Sequence, residues 1–453
     1  MGSPEDEQRQ IDIISFILVV MVLAVLPLVL FPKVINTPIN TIYFWDIYGY
    51  YKMVFLIVLS MIMITLMGFC VFGRKQRIKF CLPLSLFLLW VLVSLFFAED
   101  LGVAFHGFPS RWQGFVAYFC YFIIFTFIVN MLNKKYIGKI LAAYFVSVCI
   151  CAIQSLLNYY GIEPLNLILD PIWGIHTTPD IVRGTLGNRN TAGAFFAIPT
   201  IMSLVMFIKS NSKKKNVLFF LVFVLSYTGL LASLTRVAWL GTIGALVMAA
   251  WIFRKNYKEH LKKFVLVMLT FVVVLAFLDI SGGGKIAGRY YSLKLQINKA
   301  REGNIEQFGT NRIFVYGRAI KVIAENPIVG VGPDCFAYYC TLTNEDYEEH
   351  PELEHIGYFD KVHSDYLEYA ATMGIPALIF YLWFLLSIFI PWIRRGKEIK
   401  PEILAILLGL FGYLVQACFN FAAISVLPGI YVLLGILQNA LVKENNEEIN
   451  EQA

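Results

Sequence analysis

The sequence predicts an all-α integral membrane protein of about 12 transmembrane helices, with one large extracytoplasmic loop that carries short amphipathic helices. Three observations predict it. Hydrophobic residues make up 58% of the 453 and charged residues only 15%, against roughly 25% charge in soluble domains, and the mean hydropathy is +0.68. Apolar runs of bilayer-crossing length recur along the chain. Basic residues cluster in alternate connections.

The apolar runs lie at 11–31, 50–72, 80–97, 114–132, 137–159, 191–208, 217–234, 236–253, 264–280, 363–392, 402–420 and 425–442. The first follows an acidic, polar start without the small-residue cleavage site of a signal peptide, so it is expected to stay as an anchor. The seventh and eighth form a nearly unbroken stretch of about 35 residues, roughly 52 Å as one helix, which is too long for a single crossing. Basic residues flank it at both ends, so it must be a hairpin with its apex at Ser233-Leu234-Thr235-Arg236. An arginine at that depth costs a few kcal/mol unless it is paired or reaches water. It either snorkels or waits for an anionic headgroup. The tenth run is long, and its first turns are expected to stand clear of the membrane.

Orientation follows from the connections. Arg74, Lys75, Arg77 and Lys79 follow the second run; Lys134, Lys135 and Lys139 the fourth; Lys209 and Lys213, Lys214 and Lys215 the sixth. Arg254, Lys255, Lys258, Lys262 and Lys263 follow the eighth, and Arg394, Arg395, Lys397 and Lys400 the tenth. These are 20 of the 37 basic residues, opposed there only by Glu259 and Glu398. Both termini are therefore expected in the cytoplasm and the polar segment outside. The chain divides into spans one to nine (1–280), the external loop (281–362), spans ten to twelve (363–443) and a cytoplasmic tail (444–453).

Six of the eight cysteines fall in or beside apolar runs, where they act as small hydrophobes. Cys335 and Cys340 share the polar segment, which leaves a local disulfide open. No Cys/His spacing matches a zinc site. The acidic run 345–355 fits no metal pattern and is expected to form a flap over the site. No metal, cofactor or nucleic acid is expected.

The chemistry is expected where the polar segment meets the membrane. Within it, 310–327 reads as an amphipathic helix, capped by Thr310 and stopped by Pro327. Ile313, Tyr316, Ala319, Ile320 and Ile323 form one stripe with Arg312, while Arg318, Lys321 and Glu325 lie opposite. Arg312 should therefore turn inward and Arg318 to water. Read as helical, His363 shares a face with Leu367, Ala370, Ala371 and Gly374, with Asp365, Glu368 and Thr372 behind. An imidazole can take a proton near neutral pH, and guanidinium forks hold phosphate oxygens. His363, Arg236 and Arg312 on one side would thus suit a lipid carrying a pyrophosphate. Two further segments are candidates for binding donor or acceptor: Arg183, Asn188, Arg189 and Asn190, where Asn190 can cap a helix, and Arg111 beside Trp112. Tyr366, three residues beyond His363, is another.

These motifs are familiar together. Gly187-Asn188-Arg189-Asn190, Ser233-Leu234-Thr235-Arg236, Asn311-Arg312 followed by Asn326-Pro327-Ile328-Val329-Gly330-Val331-Gly332, and His363-Ser364-Asp365-Tyr366-Leu367 leading to Gly374-Ile375-Pro376 make the chain resemble the bacterial O-antigen ligase and O-antigen polymerase superfamily. That superfamily includes protein O-oligosaccharyltransferases. It usually has Asn after the histidine, where this chain has Ser364. The resemblance implies a GT-C-like glycosyltransferase in the bacterial inner membrane, with its active site on the extracytoplasmic face. It implies metal-independent transfer of a preassembled glycan from undecaprenyl pyrophosphate to a hydroxyl on a glycan, lipid or protein. Arg236 and Arg312 would hold the pyrophosphate, and His363 would activate the acceptor with inversion. The competing class is a transporter or lipid-linked sugar flippase. Such proteins place ionisable sites near mid-membrane and show repeated halves. Here the span interiors are nearly free of charge, and the loop has no counterpart in the first half.

Overall fold

A computed structural model describes residues 4–39, 43–177, 183–255, 258–301, 308–354, 356–395, 399–421 and 423–452. His355, Lys397 and Glu398 lie outside the described residues. The α-helices are α1 (Pro4–Val20), α2 (Tyr50–Arg74), α3 (Leu82–Leu95), α4 (Leu101–His106), α5 (Phe115–Met131) and α6 (Ile137–Tyr159). Then come α7 (Asn166–Trp173), α8 (Arg189–Lys209), α9 (Lys213–Ala232), α10 (Arg236–Phe253), α11 (Leu261–Ser281) and α12 (Lys285–Arg301). The last are α13 (Phe308–Glu325), α14 (Phe336–Tyr339), α15 (Asn344–Glu349), α16 (Asp365–Arg394), α17 (Pro401–Ala417) and α18 (Leu427–Gln452). A small antiparallel hairpin, β1 (Lys33–Asn36) and β2 (Tyr43–Asp46), pairs Lys33 with Asp46 and Asn36 with Tyr43.

Among the described residues, eight helices are long and apolar enough to cross a membrane: α1 with its extension to Leu28, α2, α6, α8, α9, α10, α11 and α16. Four shorter apolar helices, α3, α5, α17 and Leu427–Val442 of α18, stand where the other four crossings were expected. The chain is a multi-pass membrane protein. α8 is its central helix, buried from Thr191 to Ile208, as its all-round apolar sequence requires. The long seventh and eighth run does break into a hairpin: α9 ends at Ala232, Leu234 adopts φ 53, and α10 starts at Arg236. α8 packs tightly beside that turn, since a side chain at Gly193 would meet Thr235 and Ala238 at 2.8 and 2.9 Å. At the other end of the bundle, Lys263 donates to the carbonyls of Phe207 and Ile208, and Lys209 lies over the Phe253 ring.

The polar segment has its own core. Val315, Ala319, Val322, Val331, Phe336, Ala337 and Val362 pack with Val103, Ala104 and Phe108 of the α4 region. Cys335 and Cys340 are buried there as free thiols. The segment is fastened to α16 where that helix breaks at Gly374, with φ 82 and ψ 166. A Cβ at Gly374 would collide with the Ile328 carbonyl oxygen. The freed backbone groups pair across this contact: Ile375 donates to Pro327, and Val331 and Gly332 donate to Ala371 and Thr372. The loop 326–332 thus replaces hydrogen bonds that the broken helix lacks.

Two expectations are corrected, and the acidic run gains a local structure. The buried stripe of α13 runs through Val315, Ala319 and Val322, and Ile320 is 59% exposed, because the helix packs on the loop's own core rather than flat on the membrane. Arg318 is not left to water: it pairs with Asp346 and lies over the Phe314 ring. The acidic run forms α15, closed by a capping box between Thr343 and Asp346, and then a 3₁₀ turn at Pro351–Leu353.

Candidate active site between the bundle and the polar segment

Two half-buried helix starts meet first. α8 is capped by Asn188, whose side chain accepts from the Asn190 amide. The expected cap was Asn190; Gly187, at φ 86, ends the turn two residues earlier than periodicity suggested. α10 starts beside it, and Thr235 Oγ1 donates to the Arg189 carbonyl at 2.8 Å. Both helices therefore aim their positive dipole ends at the same space.

The polar segment closes that space. α12 brings Arg289, whose Nε donates to the Leu234 carbonyl at 3.1 Å. α13 brings Arg312, whose Nη1 donates to the Phe419 carbonyl at 2.6 Å. His363 arrives from the chain just before α16. It was read as helical, but α16 begins at Asp365 and His363 holds φ 62. Ser364 is the N-cap, its side chain accepting from the Leu367 amide. Serine and asparagine are both strong caps, so Ser364 keeps the role an asparagine would have. With His363 off the helix, Asp365 and Glu368 do not lie behind it. They turn into the bundle, where Tyr413 donates to Asp365 at 2.6 Å and the Val362 amide to Glu368 at 2.7 Å.

The result is a cavity of about 800 Å³ that brings together His363, Arg189, Arg236, Arg289 and Arg312. Among the described residues lining it, none is Asp or Glu. Trp239, Leu240 and Ile243 of α10 form an apolar side, and Leu240 and Ile243 are about half exposed on the outside of the bundle. Arg236 reaches Gln296 at 3.4 Å, but its Nη1 is buried without a partner among the described residues, as is His363 Nδ1. Burial, followed by Arg189, Arg236 and Arg312, pulls the Arg289 guanidinium down to about 10. Burial first, then Lys361 and Arg312, push the His363 imidazole from 6.5 to about 3 against the opposing pull of Asp360. The site is a concentration of positive charge that disfavours any further cation.

Backbone strain marks the same place. Leu234, Asn311 and His363 all lie in the left-handed region, which costs a side chain of their kind about 1–3 kcal/mol. Bracing contacts hold them: the Tyr316 hydroxyl donates to the His363 carbonyl at 3.3 Å. Asn420 accepts from the Asp365 amide and donates to the Asn190 carbonyl.

The other expected residues lie elsewhere. Arg183, Asn188 and Arg111 border a second cavity of about 430 Å³. Arg111 is 4% exposed, with Asp334 at 2.5 Å and Asp360 and Glu368 at 3.8 Å, so carboxylates occupy its guanidinium. Tyr366 lines neither cavity; its hydroxyl donates to the Leu414 carbonyl. Arg289, Tyr316 and Asn420 were not singled out from the sequence. Arg289 was visible only as one of several arginines in the polar segment, and Asn420 as the polar end of the eleventh apolar run.

Residues 221–382, from within α9 to within α16, match the family model described as O-antigen ligase. The match spans the hairpin apex, the polar segment and the histidine. No curated protein matches the chain.

Proposed function

From a chain that belongs to the O-antigen ligase/polymerase superfamily, we propose a membrane enzyme that moves a preassembled glycan from undecaprenyl pyrophosphate to an acceptor hydroxyl. The work is done on the extracytoplasmic face of the bacterial inner membrane, with both termini in the cytoplasm. One observation carries the reading: four guanidiniums and one imidazole share a cavity whose described lining has no carboxylate and whose apolar side is the outward-exposed face of a membrane-length helix.

Each group then has a task. The diphosphate of the donor lies among Arg189, Arg236, Arg289 and Arg312, at the starts of α8 and α10, while its hydrocarbon chain leaves along α10. The acceptor oxygen attacks the anomeric carbon and its proton passes to His363. The bond from that carbon to the diphosphate oxygen breaks, and the electron pair stays with the lipid diphosphate. Charge grows on that oxygen as the bond breaks, so fixed guanidiniums stabilise the transition state more than the ground state. Attack opposite the leaving group inverts the anomeric centre. Burial and the neighbouring cations keep His363 neutral, as a base must be. An anion bound beside it offsets the cations that depress its basicity, so the donor itself readies the base.

The test mixes purified protein with a lipid-diphosphate-linked oligosaccharide and a glycan, a glycolipid and a peptide acceptor, then identifies the product by mass spectrometry. A glycosylated acceptor with free lipid diphosphate is expected. Its absence with every acceptor would overturn the reading, and the acceptor used separates ligation, polymerisation and protein glycosylation.

A further inference from the structure

We infer that the second cavity is the acceptor site, and that it takes a saccharide. This rests on the reading of the first cavity as the donor site.

The two cavities share a wall. Three short segments put one residue on each side: Asn188 and Asn190, Lys361 and His363, Phe421 and Phe419, with the first of each pair lining the second cavity and the other the first. Phe421 touches the imidazole, ring centroids 5.4 Å apart and edge to face. It is held in turn by Lys361, whose Nζ lies 3.8 Å from its ring centre. His363 therefore stands at the partition, where one nitrogen can meet a hydroxyl arriving from the second cavity while the arginines hold a group in the first. A transfer enzyme needs that relation between its two substrates and its base.

The linings differ in kind. The first cavity opens along a lipid-facing helix. The second is bordered by the β-hairpin (Phe44, Trp45), the loop before α5 (Ser110), the segment after α7 (Thr177) and the turn before α8 (Arg183, Asn188). No described residue of the half-exposed α10 face enters it. Its occupant therefore comes from the aqueous side and is polar. Aromatic rings interleaved with amide, hydroxyl and guanidinium groups match a sugar, which offers an apolar C–H face and a rim of hydroxyls. The volume of about 430 Å³ falls in the range of small-ligand sites, about 300–1,000 Å³. A peptide binding by backbone would want an open strand edge or a long groove. The hairpin has only two short strands, and the cavity is a pocket beside it.

The experiment uses full-length protein in lipid nanodiscs. The donor is a lipid-diphosphate-linked oligosaccharide. The acceptor probes are that same oligosaccharide, freed of lipid and tagged at its reducing end, and a tagged Ser/Thr peptide. Phe44→Ala, Trp45→Ala and Arg183→Gln are compared singly with wild type, and saturation-transfer NMR reads binding of the tagged saccharide directly. We expect binding and transfer to the saccharide, with its KM raised about tenfold or more in at least two variants and donor KM within about twofold. Unchanged saccharide KM in all three, no saccharide binding to wild type, or transfer to the peptide alone would each overturn the inference. Arg312→Ala is the separate control. If it keeps full activity the donor reading itself fails; if it is inactive while the three variants behave as wild type, only the acceptor assignment falls.

Discussion

Two groups of arginine border the two cavities beside His363, Arg111 buried and the others half-buried, and their surroundings are opposite. Arg111 is enclosed by Asp334, Asp360 and Glu368. Burial alone would lower its guanidinium's pKa, but these carboxylates raise it above its ordinary value. Arg236, Arg289 and Arg312 face a cavity with no described carboxylate. Burial holds the Arg289 and Arg312 guanidiniums down, and neighbouring arginines add to the effect. Both places carry left-handed residues: Ser110, Trp112 and Asp334 around the first, and Leu234, Asn311 and His363 around the second. Strain alone therefore does not separate them; charge balance does. A buried cation with its counter-ions built in closes a structure, whereas several without them await an anion brought by something else.

The largest effects should come from the unbalanced side. His363→Ala should lower transfer about a hundred- to ten-thousand-fold, and Arg312→Ala about a hundred- to a thousand-fold. Both proteins should still insert and keep the wild-type unfolding temperature, because neither residue completes an ion pair among the described residues. Rates and melting curves of purified variants check this, and wild-type turnover in His363→Ala would remove the base.

Arg111→Ala should do the reverse. It strands three acidic groups in the partition between loop and bundle, at about 3–5 kcal/mol, seen as a large fall in apparent Tm or loss of folded protein. If the variant is as stable as wild type but inactive, Arg111 belongs with the substrate and the contrast breaks. Arg318→Ala is the milder case. Its partner Asp346 is buried in a capping box, but Arg318 itself is only half-buried, so water screens the pair and its loss should cost on the order of 1 kcal/mol. Activity should fall far less than in Arg312→Ala, and equal losses would end the distinction between the two arginines.

Much of this was legible in the sequence because it depends on local pattern. Apolar runs, basic connections and the arithmetic of 217–251 fix where the chain turns, and the turn at 233–235 is where α9 and α10 separate. The three candidates drawn from hairpin, loop and α16 entry reach one cavity. What periodicity could not supply was a residue that leaves its helix. His363 was placed on a helical face, yet it precedes the cap, and a left-handed φ aims it. Nor could it supply partners distant in sequence: Arg111 looked available because Asp334, Asp360 and Glu368 lie more than 200 residues away. Arg289 lacked any local signal, since its importance comes only from which other charges surround it.

The smallest effect is the most diagnostic of the contrast. The His363 imidazole sits at about 3, driven down from 6.5 by burial and by Lys361 and Arg312. Between those two values the unfolded chain carries a proton there that the folded chain does not. Stability therefore rises with pH across that window from this group and is level above it. A lipid diphosphate among the arginines brings negative charge close to the ring and must lift its pKa. Binding should then be accompanied by proton uptake at mildly acidic pH, and the imidazole resonance of histidine-labelled protein should move toward a titration near neutrality. Arg111, already balanced, gives no such response to the ligand. If His363 titrates near 6.5 without donor and does not shift when donor is added, the cations around it are screened by something within the protein, and the cavity is no more expectant of an anion than the site around Arg111.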